Sequence, residues 1–354
     1  MMPVMLRNRL LLRPLFLLLG MLAIYARAEE PRDWKLHPAI IELRMPIDLY
    51  ALGDVHGDYD RAVELLNAAH LIAAVPDKPE AAQWAAGQAV LVCTGDFIDK
   101  SDHALPVIAL LRAIQPQAEK AGGRVIITLG NHEAEFLAGG GTKKKSAEFA
   151  KELKAAGWVV ADVAAGRDAA GIGQWLRDLP VGAKVGDWFF CHAGNTGGRS
   201  LAQLRHDLET GITAEGFRAR VISDPNSLLQ ARMHPRQWWD WNGNDVQLTE
   251  VAKPSDPHEV AAGSEARLRR GIEALDCKHL VIGHQPGKIT FADGSVREAG
   301  AVFSKFNGLI YLIDTGMSRG ANSGRGALLK VHQQAEQVTT TVIYADGKTA
   351  SLEP

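Results

Sequence analysis

Aspartate, histidine and asparagine recur along this chain in five short clusters, each directly behind an apolar run. Gly53-Asp54-Val55-His56-Gly57 follows Leu52, Thr94-Gly95-Asp96-Phe97-Ile98-Asp99 follows Cys93, and Gly130-Asn131-His132-Glu133 follows Leu129. His192-Ala193-Gly194 follows Cys191, and Gly283-His284-Gln285-Pro286 follows Ile282. Gathered around one point, Asp54, His56, Asp96, Asn131, His192 and His284 would offer two carboxylates, three imidazoles and one amide oxygen. That mixture suits manganese, iron or zinc better than magnesium or calcium, which prefer oxygen alone. Six ligands are too many for one open site, so a carboxylate bridging two ions is the simplest solution. Asp96 fits the bridge, because its cluster falls between the first and third in chain order. Two ions about 3.5 to 4 Å apart lower the pKa of a bridging water and clamp both oxygens of an in-line displacement at phosphorus. The chemistry is hydrolysis of a phosphate ester. Any one cluster could be an ordinary turn; all five in this order carry the reading.

The elements that must position these clusters are short buried strands. Leu49 to Leu52, Ala89 to Cys93, Val125 to Leu129, Trp188 to Cys191, Leu280 to Ile282 and Ile310 to Ile313 are apolar runs of strand length. Amphipathic helices are expected over Arg61 to Leu71 and Leu105 to Ile114. The alternation predicts an α/β fold with the polar strand exits on one edge, where sites assemble. The runs Ala327 to Val331 and Val338 to Tyr344 suggest a second sheet packed behind.

Composition narrows the class. The 354 residues carry 39 Lys plus Arg against 41 Asp plus Glu, a net charge of -2, which disfavours a nucleic-acid partner. Cys93, Cys191 and Cys277 neither build a disulfide framework nor show zinc-ribbon spacing. Arg7, Arg9 and Arg13, the apolar run Leu15 to Tyr25 and Ala26-Arg27-Ala28 read as a signal peptide over residues 1–28. Residues 29–354 then form a single catalytic domain, exported to the periplasm or medium, without a further stretch long enough to span a membrane. Lys143-Lys144-Lys145 reads as a solvated loop, and Lys253-Pro254-Ser255-Asp256-Pro257 as a surface excursion.

The five clusters resemble the motifs of the calcineurin-like metallophosphoesterase superfamily, and more narrowly its phosphoprotein-phosphatase type, including the bacterial Shewanella-like phosphatases. The resemblance runs from Asp54 to about Gly316. It implies a central two-sheet β-sandwich flanked by helices, with a dinuclear metal site at the C-terminal ends of the strands. It implies that Asp54 and His56 hold the first metal, that Asp96 bridges, and that Asn131, His192 and His284 hold the second. His132 matches the general acid that protonates the leaving oxygen, with Asp99 orienting it.

Two departures refine the resemblance. Gln285-Pro286 follows His284 where many superfamily members have a further ligand histidine, which favours the phosphoprotein-phosphatase branch. Asp99-Lys100-Ser101 stands where that branch has Asp-Arg-Gly, so a point charge replaces a bidentate fork. Lys100 and Arg236, with Arg232 as an equal competitor, are the candidates to grip the phosphate. The tryptophans Trp238, Trp239 and Trp241 read first as packing residues and second as a substrate-groove wall, and Asp314-Thr315-Gly316-Met317 first as a structural turn and second as a pocket lining. The function expected is an exported metal-dependent phosphatase for phosphomonoesters, of small molecules or phosphoproteins. In that reading a metal-bridging hydroxide attacks and His132 acts as general acid. A phosphodiesterase or nucleotide hydrolase, and a metal-binding scaffold without turnover, are the alternatives.

Overall fold

Strands buried on both faces read as continuous apolar runs, and here each such run is sandwiched between two different layers. The computed structural model describes residues 32–232 and 257–353, apart from positions 292, 323 and 336, with side chains in the second stretch from residue 265. Strands β1 (Ile40–Leu43) and β2 (Asp48–Leu52) lead to helix α1 (Tyr59–Ala68), β3 (Val90–Cys93) to α2 (Ala104–Lys120), and β4 (Arg124–Ile127) to α3 (Asn131–Gly139). Helices α4 (Ala147–Ala155), α5 (Val160–Ala164) and α6 (Ile172–Arg177) precede β5 (Gly182–Val185) and β6 (Trp188–Cys191). Helices α7 (Leu201–Glu215), α8 (Arg220–Ser223) and α9 (Pro257–Glu273) precede β7 (His279–Ile282). The chain closes with β8 (Ile289–Thr290), β9 (Val296–Arg297), β10 (Phe303–Lys305), β11 (Ile310–Leu312), β12 (Ala327–Gln334), β13 (Gln337–Tyr344) and β14 (Thr349–Ser351).

One sheet runs β14-β13-β12-β2-β3-β4 and the other β1-β5-β6-β7-β11-β10, while β8 and β9 pair apart. Between the two large sheets lie Leu49, Ala51, Val90, Val92 and Ile126 from one side and Val185, Trp188, Phe190, Val281 and Tyr311 from the other. The residues one step along, among them Leu52, Leu91, Cys93 and Ile127, point outward onto helices carrying Leu65, Leu66, Leu110 and Leu111. The period of two along a strand produces this division. Cys93 is buried at the end of β3, and burial pushes its thiol pKa up to about 12, so it packs as an apolar residue.

Two expectations need correcting. The C-terminal runs are no second sheet: β12 lies antiparallel to β2, Leu328 opposite Leu52, and extends the first sheet. The β2 edge is otherwise unpaired, and a buried edge demands a partner. The polar exits also come from two sheets instead of one. β2, β3 and β4 run parallel in the first, β6 and β7 run parallel in the second, and their C-terminal ends meet across the sandwich. His192 Nδ1 reaches Thr94 O at 2.9 Å, and the His284 amide donates to Asp54 Oδ1 at 3.1 Å, both between sheets.

Candidate metal centre

At that meeting point the backbone is forced into unusual shapes. His56, Asp96, Asp99, Lys100 and His284 all adopt the left-handed region, with φ between 46° and 70°. Each costs on the order of 1 kcal/mol or more, which the surrounding sheets sustain. Two glycines permit the close approach. A Cβ on Gly283 would collide with Asp54 Oδ1, and one on Gly130 would collide with Asp96 Oδ1.

Asp96 occupies the middle. Its Oδ2 lies 3.7 Å from His56 Nε2, 3.8 Å from His132 Nε2 and 3.3 Å from His192 Nε2, while Oδ1 accepts the His132 amide at 3.0 Å. Burial alone would raise its pKa, but His192, His132 and His56 hold it well below the usual carboxylate range. Asp96 is the member common to two groups whose ligand atoms converge, one with His56 and His132 and one with His192 and His284.

The imidazoles are aimed by carbonyls. His56 Nδ1 donates to Ile98 O at 3.2 Å and His192 Nδ1 to Thr94 O, so both Nε2 lone pairs turn inward. His284 Nδ1 sits 2.9 Å from His192 Nε2. Burial pulls the His56 pKa down to about 3, and burial with His192 and Arg232 holds His284 well below its ordinary value. Asp54 Oδ2 lies 3.8 Å from His56 Nε2, and burial, Asp314 and Asp96 together push its pKa well up. Asn131 opens α3; its Nδ2 donates to Gln230 Oε1 at 3.0 Å, and its Oδ1 is buried without a hydrogen-bond partner.

This is an excess of acceptors. His56 Nε2, His192 Nε2, Asn131 Oδ1 and the Asp54 and Asp96 carboxylates crowd together with few protons to share, which is the electrostatic environment that a bound cation relieves. The Lys100 ammonium partly fills that need, donating to His56 Nε2 at 2.7 Å. The donor set therefore fits divalent metal.

Beside it, His132 Nδ1 stands 3.2 Å from Asp99 Oδ2, while Asp99 Oδ1 accepts the Glu148 and Phe149 amides at 2.7 and 3.1 Å. Burial alone would lower the His132 pKa, yet Asp96 and Asp99 outweigh it and raise it. Burial would likewise raise Asp99, but the His132 contact and the amides bring it below the usual range. The two carboxylates thus favour the charged form of the ring.

The structure brings Asp54, His56, Asp96, Asp99, Lys100, Asn131, His132, His192 and His284 to one place. Arg236 and the tryptophans Trp238, Trp239 and Trp241 lie outside the described residues. Arg232 is exposed and close enough to act electrostatically on His284.

Three further residues take part. Glu133 is wholly buried and accepts the amides of Asp96, Phe97, Ile98 and Gly130, pinning the β3 exit to the start of α3. Burial and Asp96 push its pKa up to about 7. Its place three residues after Gly130, where a helix starts, is a capping-box spacing that could have found it. Asp314 serves its expected turn by accepting the Gly316 amide at 2.8 Å, and its charge also acts on Asp54. Gln230 has no signal in sequence.

The calcineurin-like phosphoesterase family model matches residues 47–288, and the chain belongs to that family. Within it the chain is a metal-dependent phosphatase. It is 26% identical over 331 residues to an uncharacterised protein of Schizosaccharomyces pombe, covering 88% of this chain and 85% of that one. It is 26% identical to Shewanella-like protein phosphatase 1 of Plasmodium berghei, over 78% of this chain and 69% of the relative. A shorter match, 32% over 124 residues, covers 34% of this chain and 30% of Shewanella-like protein phosphatase 2 of Arabidopsis thaliana. The fold is shared with a cold-active protein tyrosine phosphatase of a psychrophilic Shewanella species. That structure has a TM-score of 0.59 and 20% identity, covering 89% of this chain and 84% of its own.

Proposed function

We infer that the chain is an exported phosphomonoesterase that carries two metal ions at this centre. The convergence of nitrogen and oxygen acceptors around Asp96 Oδ2 carries this reading, with a protonatable His132 at the rim. Asp54 and His56 would hold one ion, Asn131, His192 and His284 the other, and Asp96 would bridge them; the mixed nitrogen and oxygen set suits manganese, iron or zinc. When bound, the pair supplies Lewis acidity toward phosphoryl oxygens and a water that loses its proton near neutral pH.

The chain's own residues do the rest. His132 holds its proton at Nε2 for the leaving oxygen, because Asp99 faces Nδ1 and stabilises the charged ring. Asp99 is kept in place by the first amides of α4, so the orientation does not depend on a mobile side chain. Lys100 is exposed on a left-handed turn and reaches His56; were His56 Nε2 to ligate a metal, the Lys100 ammonium would be left to meet a phosphoryl oxygen. A dianionic monoester gains more from such cations than a monoanionic diester does, and this favours monoesters. Export rests on Arg7, Arg9, Arg13 and the apolar run to Tyr25. Among the described residues no helix is long and apolar enough to cross a membrane.

The test is turnover of an aryl phosphate against a bis-aryl phosphate, with manganese and after chelation. Monoester turnover that chelation removes and manganese restores is expected. Faster diester cleavage, or no turnover with any of the three metals, overturns the reading.

A further inference from the structure

The Lys143-Lys144-Lys145 run is tied to the candidate centre and is more than a solvated loop. Ser146 N–H and Oγ both bond Lys143 O, at 3.1 Å each, which curls the run into a single tight turn between α3 and α4. Lys145 points inward from that turn. Its Nζ donates to Gln230 Oε1 at 2.9 Å, the same oxygen that receives Asn131 Nδ2, and lies 3.0 Å from Glu135 Oε1. An ammonium has three donors, so one N–H is left for a ligand. Arg232 is exposed two residues beyond Gln230, and Lys143 and Lys144 are exposed on the outer side of the turn. Glu135 offsets one charge of this group, and Glu148, the nearest acid on α4, is taken by Lys151 at 3.4 Å. Among the described residues, these four cations and Glu135 leave a surplus of positive charge beside the Asn131 half of the centre.

We propose that Lys143, Lys144, Lys145 and Arg232 form a cationic shelf that selects phosphopeptides bearing acidic residues beside the phosphorylated side chain. This deepens the phosphomonoesterase reading and rests on it. The shelf adjoins Asn131 through Gln230, so whatever lies on it is one short step from a phosphate at the centre. Its outer lysines stand on an open turn instead of lining a closed cavity, which suits an extended peptide better than a compact nucleotide. Charges on an exposed surface act chiefly through encounter and are weakened by salt.

The experiment compares kcat/KM for a phosphopeptide with acidic flanking residues and its neutral-flanked twin, at low and high salt, with an aryl phosphate alongside. Native protein should prefer the acidic peptide about tenfold at low salt and only about twofold near 0.5 M. The double reversal Lys143→Glu with Lys144→Glu, and separately Arg232→Gln, should bring the ratio toward one. Equal rates for the two peptides, a preference that survives the reversals, or faster cleavage of a nucleoside triphosphate than of either peptide overturns the shelf. Absent aryl phosphate turnover would instead overturn the phosphatase reading. Binding of non-hydrolysable phosphonate versions of the same peptides, read by fluorescence anisotropy, then still decides the shelf by the same ratio.

Discussion

The two halves of the candidate centre are built on different principles. On the side of Asp54 and His56 the environment is rich in carboxylates: Asp54 feels the charge of Asp314 and Asp96, and a lysine leans in to His56. On the side of Asn131, His192 and His284 the candidate ligands are an amide and two imidazoles with no carboxylate among them, and each is aimed by an uncharged neighbour or a ring: Thr94 O for His192, Gln230 for Asn131, and His192 for His284. The first half attracts an ion by charge and the second by geometry. Among the described residues, Asp96 is the group that serves both.

Removing the shared group should therefore have the largest effect. Asp96→Asn is expected to lower aryl phosphate turnover at least about 1000-fold and to deplete both ions in elemental analysis. Asp54→Asn should deplete only one. Equal depletion by the two variants would dissolve the distinction between halves.

Next comes the proton. His132→Asn should cost about 100- to 10,000-fold in kcat while the metal content stays intact. Asp99→Asn sharpens the point through pH. As the proposed general acid His132 would act in its protonated form; its pKa is raised by Asp96 and Asp99, so activity should fall as pH climbs through that value. Without the Asp99 charge the His132 pKa drops, so the alkaline limb of the kcat profile should move to lower pH. A limb that stays where it was would place the titration elsewhere.

A smaller loss is expected from the support beneath both halves. Glu133→Gln trades a carboxylate oxygen for an amide donor facing backbone N–H groups, costing about 1 to 3 kcal/mol, to be read as a lower denaturant midpoint. The smallest change is Lys100→Arg on the charged half. A planar fork should grip phosphate better and lower KM a few-fold with kcat nearly unchanged. An unaltered KM would remove Lys100 from substrate contact.

The pattern of these effects tracks what could be read from sequence. The strand exits were legible because buried parallel strands leave unbroken apolar runs, and the polar type behind each run is unmistakable. The match is close for β6, read at Trp188 to Cys191 and found there. The partner of β12 was not legible, since pairing with β2 depends on which edge is open after the sheet has formed. Glu133 was visible as a residue but not as a hub, because its role lies in four amides, three of them aimed by the turn at Gly95 to Ile98 and the fourth, of Gly130, by the entry to α3. Gln230 and Lys145 lie 99 and 14 residues from Asn131, with nothing periodic joining them. A lysine run in a sequence says surface; it does not say which lysine folds back.

The split origin of the polar exits has a mechanical outcome. Asp54, Asp96 and Asn131 leave one sheet, His192 and His284 the other, so an ion seated among them would fasten two layers that otherwise meet largely through oily side chains. Slippage of one layer would pull the fastener apart, and unfolding would have to release it first. Heat resistance should thus climb with free ion, by about 2.7 kcal/mol at a hundred times the dissociation constant, and a chelator would loosen the whole body, not the centre alone.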